Sequence, residues 1–257
     1  MTVSRALRGA PLGRAGPTPR RLQKILHARG IEGVIVSPQS TTLPCGKLDD
    51  SPFAAVAFGN AMQSPALHMC AGNMTLGIQM AAEQLQARGF KRIGVAVTTW
   101  IVTRSQFGYS GGLFHWQQSL PSEDRVPLLL FPHNDISHGS NAFAKWMREH
   151  RPGALITFDT HVPDWLKRLG LRVPKGIGFV VHDWTPAMKG YAGIYQRRDH
   201  LAAAVDLVIT QLSQHEHGVP EVPRRIMMPP QWVEEPSVKT ADATIDSILS
   251  KSARLQS

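Results

Sequence analysis

Gly108-Tyr109-Ser110-Gly111-Gly112 fits the spacing Gly-x-Ser-x-Gly. In a nucleophile elbow that spacing sits on a sharp strand-to-helix turn and exposes the serine hydroxyl. Asp183 and His200 follow in the order Ser, Asp, His, so a hydrolase triad is one reading of these residues. An elbow, however, needs its strand to end directly before the motif, and Arg104-Ser105-Gln106-Phe107 intervenes. A pattern with three fixed positions arises easily in a chain with 22 glycines, so a glycine-rich helix start is the plainer expectation. His215-Glu216-His217 offers two imidazoles and a carboxylate, but no third ligand stands at zinc spacing. A solvated helix end is expected there. Arg197-Arg198 reads as a solvated turn, and Met227-Met228 and Trp232 as packing residues. No catalytic residue, metal or cofactor is therefore expected.

These residues need elements to hold them, and the chain has a repeating grammar. Arg20 to Arg29 carries Leu22, Ile25 and Leu26 at helical spacing; Gly30 stops it, and Gly33-Val34-Ile35-Val36 reads as a buried strand. Leu76 to Arg88 puts Ile78, Ala81, Ala82 and Leu85 on one face, followed by Gly89 and the strand Arg92 to Val97. Asp164 to Leu169 is a short helix, followed by Gly170 and the strand Ile177 to Val181. Helix, glycine stop and short apolar run together predict alternating helices and strands around mostly parallel sheets. Further strands are expected at 54–58, 67–70, 126–131 and 154–158, and further helices near 112–120, 141–150 and 199–214, the last capped by Asp199. Arg224 to Val238 reads as extended, and the tail from Thr240 as a short helix.

Composition narrows the class. The chain has 257 residues, 42% of them hydrophobic and 18% charged, enough to bury a core and unlike a disordered chain. Its apolar runs are too short for a membrane helix, which needs about 20 residues. Cys45 and Cys70 are too few for a disulfide scaffold and read as reduced thiols of a cytoplasmic protein, with a single bridge between them as the alternative. No apolar segment follows the first charged residues, so no secretory signal is expected. The net charge of +9 is uneven. Residues 1 to 30 hold seven of the 28 basic residues and no acid, which leaves 21 basic against 19 acidic side chains elsewhere. Nucleic acid is thus a candidate partner for the front of the chain only.

That front, Thr2-Val3-Ser4-Arg5-Ala6-Leu7, resembles the recognition helix of the LacI/GalR family of bacterial transcription regulators, whose first residues enter the major groove. The rest supports the resemblance in order. Gly30-Ile31-Glu32-Gly33-Val34-Ile35-Val36-Ser37-Pro38 and Gly89-Phe90-Lys91-Arg92-Ile93 are similar to family segments, as is Arg151-Pro152-Gly153-Ala154. The strongest match is Gly170-Leu171-Arg172-Val173-Pro174-Lys175-Gly176-Ile177-Gly178-Phe179-Val180-Val181-His182-Asp183, and Gly193-Ile194-Tyr195-Gln196 looks like the family's crossover strand. The resemblance covers most of residues 20 to 238.

It implies an α/β fold of two Rossmann-like lobes with parallel sheets, periplasmic-binding-protein-like, with the first lobe incomplete. Residues 1–9 would be a remnant of the recognition helix, 10–19 a linker, 20–238 the effector-binding domain and 239–257 a tail. Lobe one would run over about 20–97 and 193–217, lobe two over about 98–192 and 218–238. A small effector, a sugar or related polar metabolite, would sit between the lobes of a homodimer and shift its affinity for operator DNA. The positions that match the family's ligand residues are Asn73, Tyr109, Asp159 and Asp183, with Trp100 and Trp184 as stacking surfaces. Tyr109 stands where many members have arginine, which weakens both an anionic ligand and the family's commonest sugar mode. The DNA-reading positions would be Thr2, Val3, Ser4 and Arg5. The family's DNA-binding domain starts before its recognition helix, and more segments separate that helix from the lobe. An internal deletion or degraded regulator gene is therefore expected, and DNA binding by this chain alone is not. A stand-alone sugar-binding protein is a third reading, which the missing signal disfavours.

Overall fold

The computed structural model describes residues 19–36, 52–62, 64–133, 135–196 and 200–239. Thr2, Val3, Ser4 and Arg5, Cys45, Arg197-Arg198, the proposed cap Asp199 and the tail from Thr240 lie outside them. The described elements are α1 (Pro19–Ala28), β1 (Gly33–Val36), β2 (Ala54–Phe58), β3 (His68–Gly72), α2 (Met74–Ala87), β4 (Ile93–Thr98), α3 (Thr99–Arg104), α4 (Gly108–Gln117), β5 (Leu129–Phe131), α5 (Ile136–His150), β6 (Ala154–Thr157), α6 (Val162–Arg168), β7 (Gly178–His182), β8 (Ala192–Tyr195), α7 (His200–Ser213), β9 (Arg225–Met228) and β10 (Gln231–Val233). None of these helices is long and apolar enough to cross a membrane.

The glycine stops work as the sequence predicts. Gly30, Gly89 and Gly170 have φ of 64°, 87° and 73°. One residue later the chain donates back into the helix: Ile31 to Leu26 O at 3.1 Å, Phe90 to Leu85 O at 3.1 Å and Leu171 to Leu166 O at 3.0 Å. A residue in the left-handed region lets that bond close, and only glycine reaches the region without steric cost. Each stop aims the chain at the next strand.

The chain divides into two compact units, 1–72 with 197–228, and 73–196 with 229–257. The first holds a parallel sheet in the order β1-β2-β3-β9. Successive residues of β2 face opposite sides. Ala54, Val56 and Cys70 pack with Ala204, Leu207 and Val208 of α7, whereas Ala55 and Ala57 join Leu67, Met69 and Ala71. Burial on both faces explains why these strands read as unbroken apolar runs. Cys70 is a buried free thiol whose pKa is pushed up by burial.

The second unit holds the order β10-β8-β7-β6-β4-β5, parallel except that β10 runs antiparallel to β8. Ile78, Leu85, Tyr109 and Leu113 of α2 and α4 pack with Val95, Ile156 and Val180 of the sheet. Phe143, Met147, Trp165 and Leu166 of α5 and α6 pack with Leu155, Phe179 and Val181.

The unit boundaries differ from the expected lobes. Residues 73–97 were assigned to lobe one, but β4 pairs with β5 and β6 in the second sheet. The crossover strand β8 pairs with β7 and β10, so 193–196 also belongs to the second unit. Strand β9 pairs with β3, which places 218–228 in the first unit. Strand pairing is a long-range property that local pattern does not encode. Three local details also differ. Helix α3 fills part of the stretch left without an element. Helix α4 starts at Gly108 instead of Gly112. Strand β5 begins only at Leu129, since Pro127 has no amide to donate.

Candidate functional site

Ligands in open α/β sheets bind outside the carboxyl ends of the strands. In the second unit the neighbouring strands β8, β7, β6 and β4 end at Tyr195, His182, Thr157 and Thr98. The residues at and just after these ends therefore form a row, and helices α2 and α4 supply its cover.

Tyr109, in the first turn of α4, is 1% exposed. Its ring meets His182 at 4.6 Å between centroids and Phe158 edge-on at 6.4 Å. One aromatic ring thus bridges the ends of β7 and β6. The backbone at Gly77 of α2 makes the second link. A Cβ there would lie 2.3 Å from Gln196 Nε2 and 2.4 Å from His182 Nε2, so only glycine lets these two side chains approach the helix. His182 is 0% and Gln196 2% exposed, yet neither ring nitrogen of His182 and neither amide atom of Gln196 has a hydrogen-bond partner. Buried polar atoms are nearly always paired, and each orphan costs about 1–3 kcal/mol. Two such side chains at adjacent strand ends are the main chemical feature of this unit. Burial holds the His182 pKa at about 4, against the pull of the neighbouring Asp183 carboxylate and of the His182 and Met74 backbone, so the imidazole is neutral at pH 7.

The four positions singled out from sequence fall around this cluster. Asn73 is half-buried and caps α2, its Oδ1 accepting from the Leu76 amide at 3.1 Å. Tyr109 is the aromatic bridge itself. Asp159 follows β6; its Oδ1 accepts from the His161 amide at 2.8 Å while its own amide donates to Thr157 Oγ1 at 3.0 Å. Asp183 follows β7 with φ of 103°, a strained backbone for any residue but glycine. Asn73 and Asp159 thus each shape a turn, and Asp183 sits on a bend held by its amide bond to Ile194 O at 3.2 Å.

The aromatic surfaces are also placed. Trp100 stacks on His133 at 4.8 Å, and the Arg104 guanidinium lies 4.0 Å from its ring centroid. Trp184 donates through Nε1 to Tyr191 O at 2.9 Å, which fixes its ring.

His182 and Gln196 are not among the positions singled out from sequence. Both close an apolar strand run, Phe179-Val180-Val181-His182 and Gly193-Ile194-Tyr195-Gln196. A polar residue that ends a buried strand was the signal available.

Ser110 does not form a nucleophile elbow. Helix α3 stands between β4 and the motif, and Ser110 lies inside the first turn of α4, its hydroxyl donating to Phe107 O at 3.1 Å. Among the described residues no three His, Cys, Asp or Glu side chains are grouped to hold a metal ion.

No family model matches the sequence, and no curated protein matches it. Solved structures do. A LacI transcriptional regulator from a Rhodococcus species has 19% identity, with 86% of this chain and 83% of that one covered and a TM-score of 0.61. A LacI-family transcriptional regulator from Enterococcus faecium, with bound ribose, has 13% identity, coverage of 86% and 84%, and a TM-score of 0.59. A periplasmic binding protein/LacI transcriptional regulator from Alkaliphilus metalliredigens, complexed with D-xylulofuranose, has 14% identity, coverage of 86% and 85%, and a TM-score of 0.59. This chain therefore has the periplasmic-binding-protein-like α/β fold found in LacI-type transcription regulators.

Proposed function

We propose that this chain is an effector-binding module of a LacI-type transcription regulator and that its ligand is a sugar or a related polar metabolite. One observation carries the reading: Gln196 and His182 hold four unpaired polar atoms, buried side by side at the ends of β8 and β7. A sugar hydroxyl donates and accepts at once, so a few hydroxyls can satisfy both the amide and the neutral imidazole. The fold adds weight, since similar structures hold ribose and D-xylulofuranose. Tyr109 and Phe158 supply the apolar wall, and Asp159 and Asp183 supply further acceptors near the same strand ends. Asn73 contributes to this site by fixing the start of α2.

In this reading the ligand biases a two-state regulator dimer, with Thr2, Val3, Ser4 and Arg5 as the DNA-reading positions of its headpiece. Equilibrium sedimentation checks the homodimer. Salt-dependent binding of duplex DNA checks whether this chain itself retains that contact.

A thermal-shift screen against D-ribose, D-xylose, D-glucose and cellobiose tests ligand binding. A ligand at 100 times its Kd adds about 2.7 kcal/mol of stability. Gln196→Leu should weaken the binding sugar at least tenfold, because it removes both amide contacts. If no sugar shifts the transition, or if Gln196→Leu leaves affinity unchanged, the proposed ligand class or its site is wrong.

A further inference from the structure

Helix α4 is apolar on two opposite faces. Its inner face seats on α2. A Cβ at Gly112 would lie 2.9 Å from Thr75 O, and one at Gly108 would lie 2.9 Å from Met74 Cβ. Tyr109, Leu113 and Trp116 on this side fill the core. At about 100° per residue, Phe107, Gly111 and Phe114 fall on the other side. Phe107 is 64% and Phe114 51% exposed, and a Cβ at Gly111 would meet nothing within 4 Å. Two rings therefore flank a notch about 10 Å long, at 1.5 Å of rise per residue. A helix that is apolar all round is ordinarily covered all round.

The size of this face selects its occupant. At about 200 Å² per fully exposed aromatic side chain, the two rings offer roughly 230 Å². A stable dimer buries about 800 Å² per partner. The face is thus too small to hold a second copy by itself. It suffices for a segment tethered to the same chain, whose effective concentration is on the order of millimolar. Eighteen residues follow Lys239 in the same unit. Their point of departure is fixed. Ser237 Oγ accepts from the Ala192 amide at 2.7 Å and donates to Phe179 O at 2.6 Å. Val238 is 5% exposed and belongs to the same apolar cluster as Leu113 and Trp116 of α4. The segment therefore leaves from the core that the inner face of α4 seals. In its sequence Ala241, Ile245, Ile248 and Leu249 stand at i, i+4, i+7 and i+8, the spacing of one helical stripe. A helix over 241–249 would be about 13 Å long, close to the length of the notch. Reach is no obstacle, since eighteen extended residues span about 60 Å.

We propose that the outer face of α4 is the docking site of this chain's own segment 240–257, with Ile245, Ile248 and Leu249 against Phe107, Gly111 and Phe114. Each side supplies what the other lacks. A helix this short is marginal in water and gains its stability from packing an apolar face. The open space over Gly111 admits a branched side chain between the two rings. The docked segment clamps α4 from outside, and α4 carries Tyr109, the ring that bridges the ends of β7 and β6.

The test is NMR of the full-length chain with labelled isoleucine and leucine methyls. Nuclear Overhauser contacts should join the Phe107 and Phe114 rings to methyls of Ile245, Ile248 and Leu249. Ile248→Asp combined with Leu249→Asp should abolish these contacts. The same pair should speed amide exchange over 245–249 by about tenfold or more and leave the spectrum of the core unchanged. Phe107→Ser combined with Phe114→Ser, both at exposed positions, should release the segment in the same way. Absence of the contacts in the unsubstituted chain would overturn the proposal. So would amide exchange over 245–249 that neither pair of substitutions changes. Contacts that pass from labelled to unlabelled chains in a mixed sample would also overturn it, since a second copy would then occupy the face.

Discussion

The buried histidine at the end of β7 makes stability depend on pH in a specified direction. His182 is fully buried, and desolvation lowers its pKa from 6.5 to about 4. In the unfolded chain the imidazole takes up a proton near pH 6.5. Between that pH and about 4 the unfolded state therefore binds more protons than the folded state. Stability then falls as pH falls. The contribution is intact above about pH 6.5 and lost by about pH 4. A span of about 2.5 pH units at 1.36 kcal/mol each gives about 3 kcal/mol. Full burial means that solvent screening takes little from this figure. The assay can be confined to the right unit, because all six tryptophans and all three tyrosines lie in residues 73–196 or 229–257. Denaturant unfolding followed by tryptophan fluorescence thus reports the second unit. Acid also weakens carboxylate interactions, so the informative quantity is the difference between wild type and His182→Gln, which keeps a polar side chain that does not titrate. That difference should move by about 3 kcal/mol between pH 7.5 and pH 4, with wild type losing more. A difference that stays constant within about 0.5 kcal/mol would refute the assignment of a desolvated, neutral imidazole.

Two substitutions probe how the site is built. Asn73→Ala removes the cap of α2 and should cost about 1 kcal/mol, read as a lower denaturation midpoint with an unchanged slope. Gly77→Ala places a methyl group within 2.3–2.4 Å of Gln196 and His182. Overpacking of this kind costs about 1–3 kcal/mol, and sugar affinity should fall by more than the stability loss alone would cause, since both polar groups must move. Isothermal titration beside denaturant unfolding separates the two effects.

The sequence by itself determined the local elements and the class of the fold. The glycines at 30, 89 and 170 ended helices because the left-handed region costs every other residue. The apolar runs at 54–58, 93–97 and 178–181 became strands buried on both faces because only a parallel sheet covered by helices hides such runs. The resemblance to LacI-type regulators, read from short ordered segments, also agrees with the solved structures of similar fold. Tertiary structure alone decided which strands share a sheet. It moved β4 and β8 into the second unit and β9 into the first, because pairing joins residues far apart in sequence. It also decided which polar residues stand without partners. From sequence, Asn73 and Asp159 looked like ligand groups, and in space each first satisfies a neighbouring amide. His182 and Gln196 looked like ordinary positions at strand ends. Their importance rests on burial without a partner, and that depends on every group folded around them.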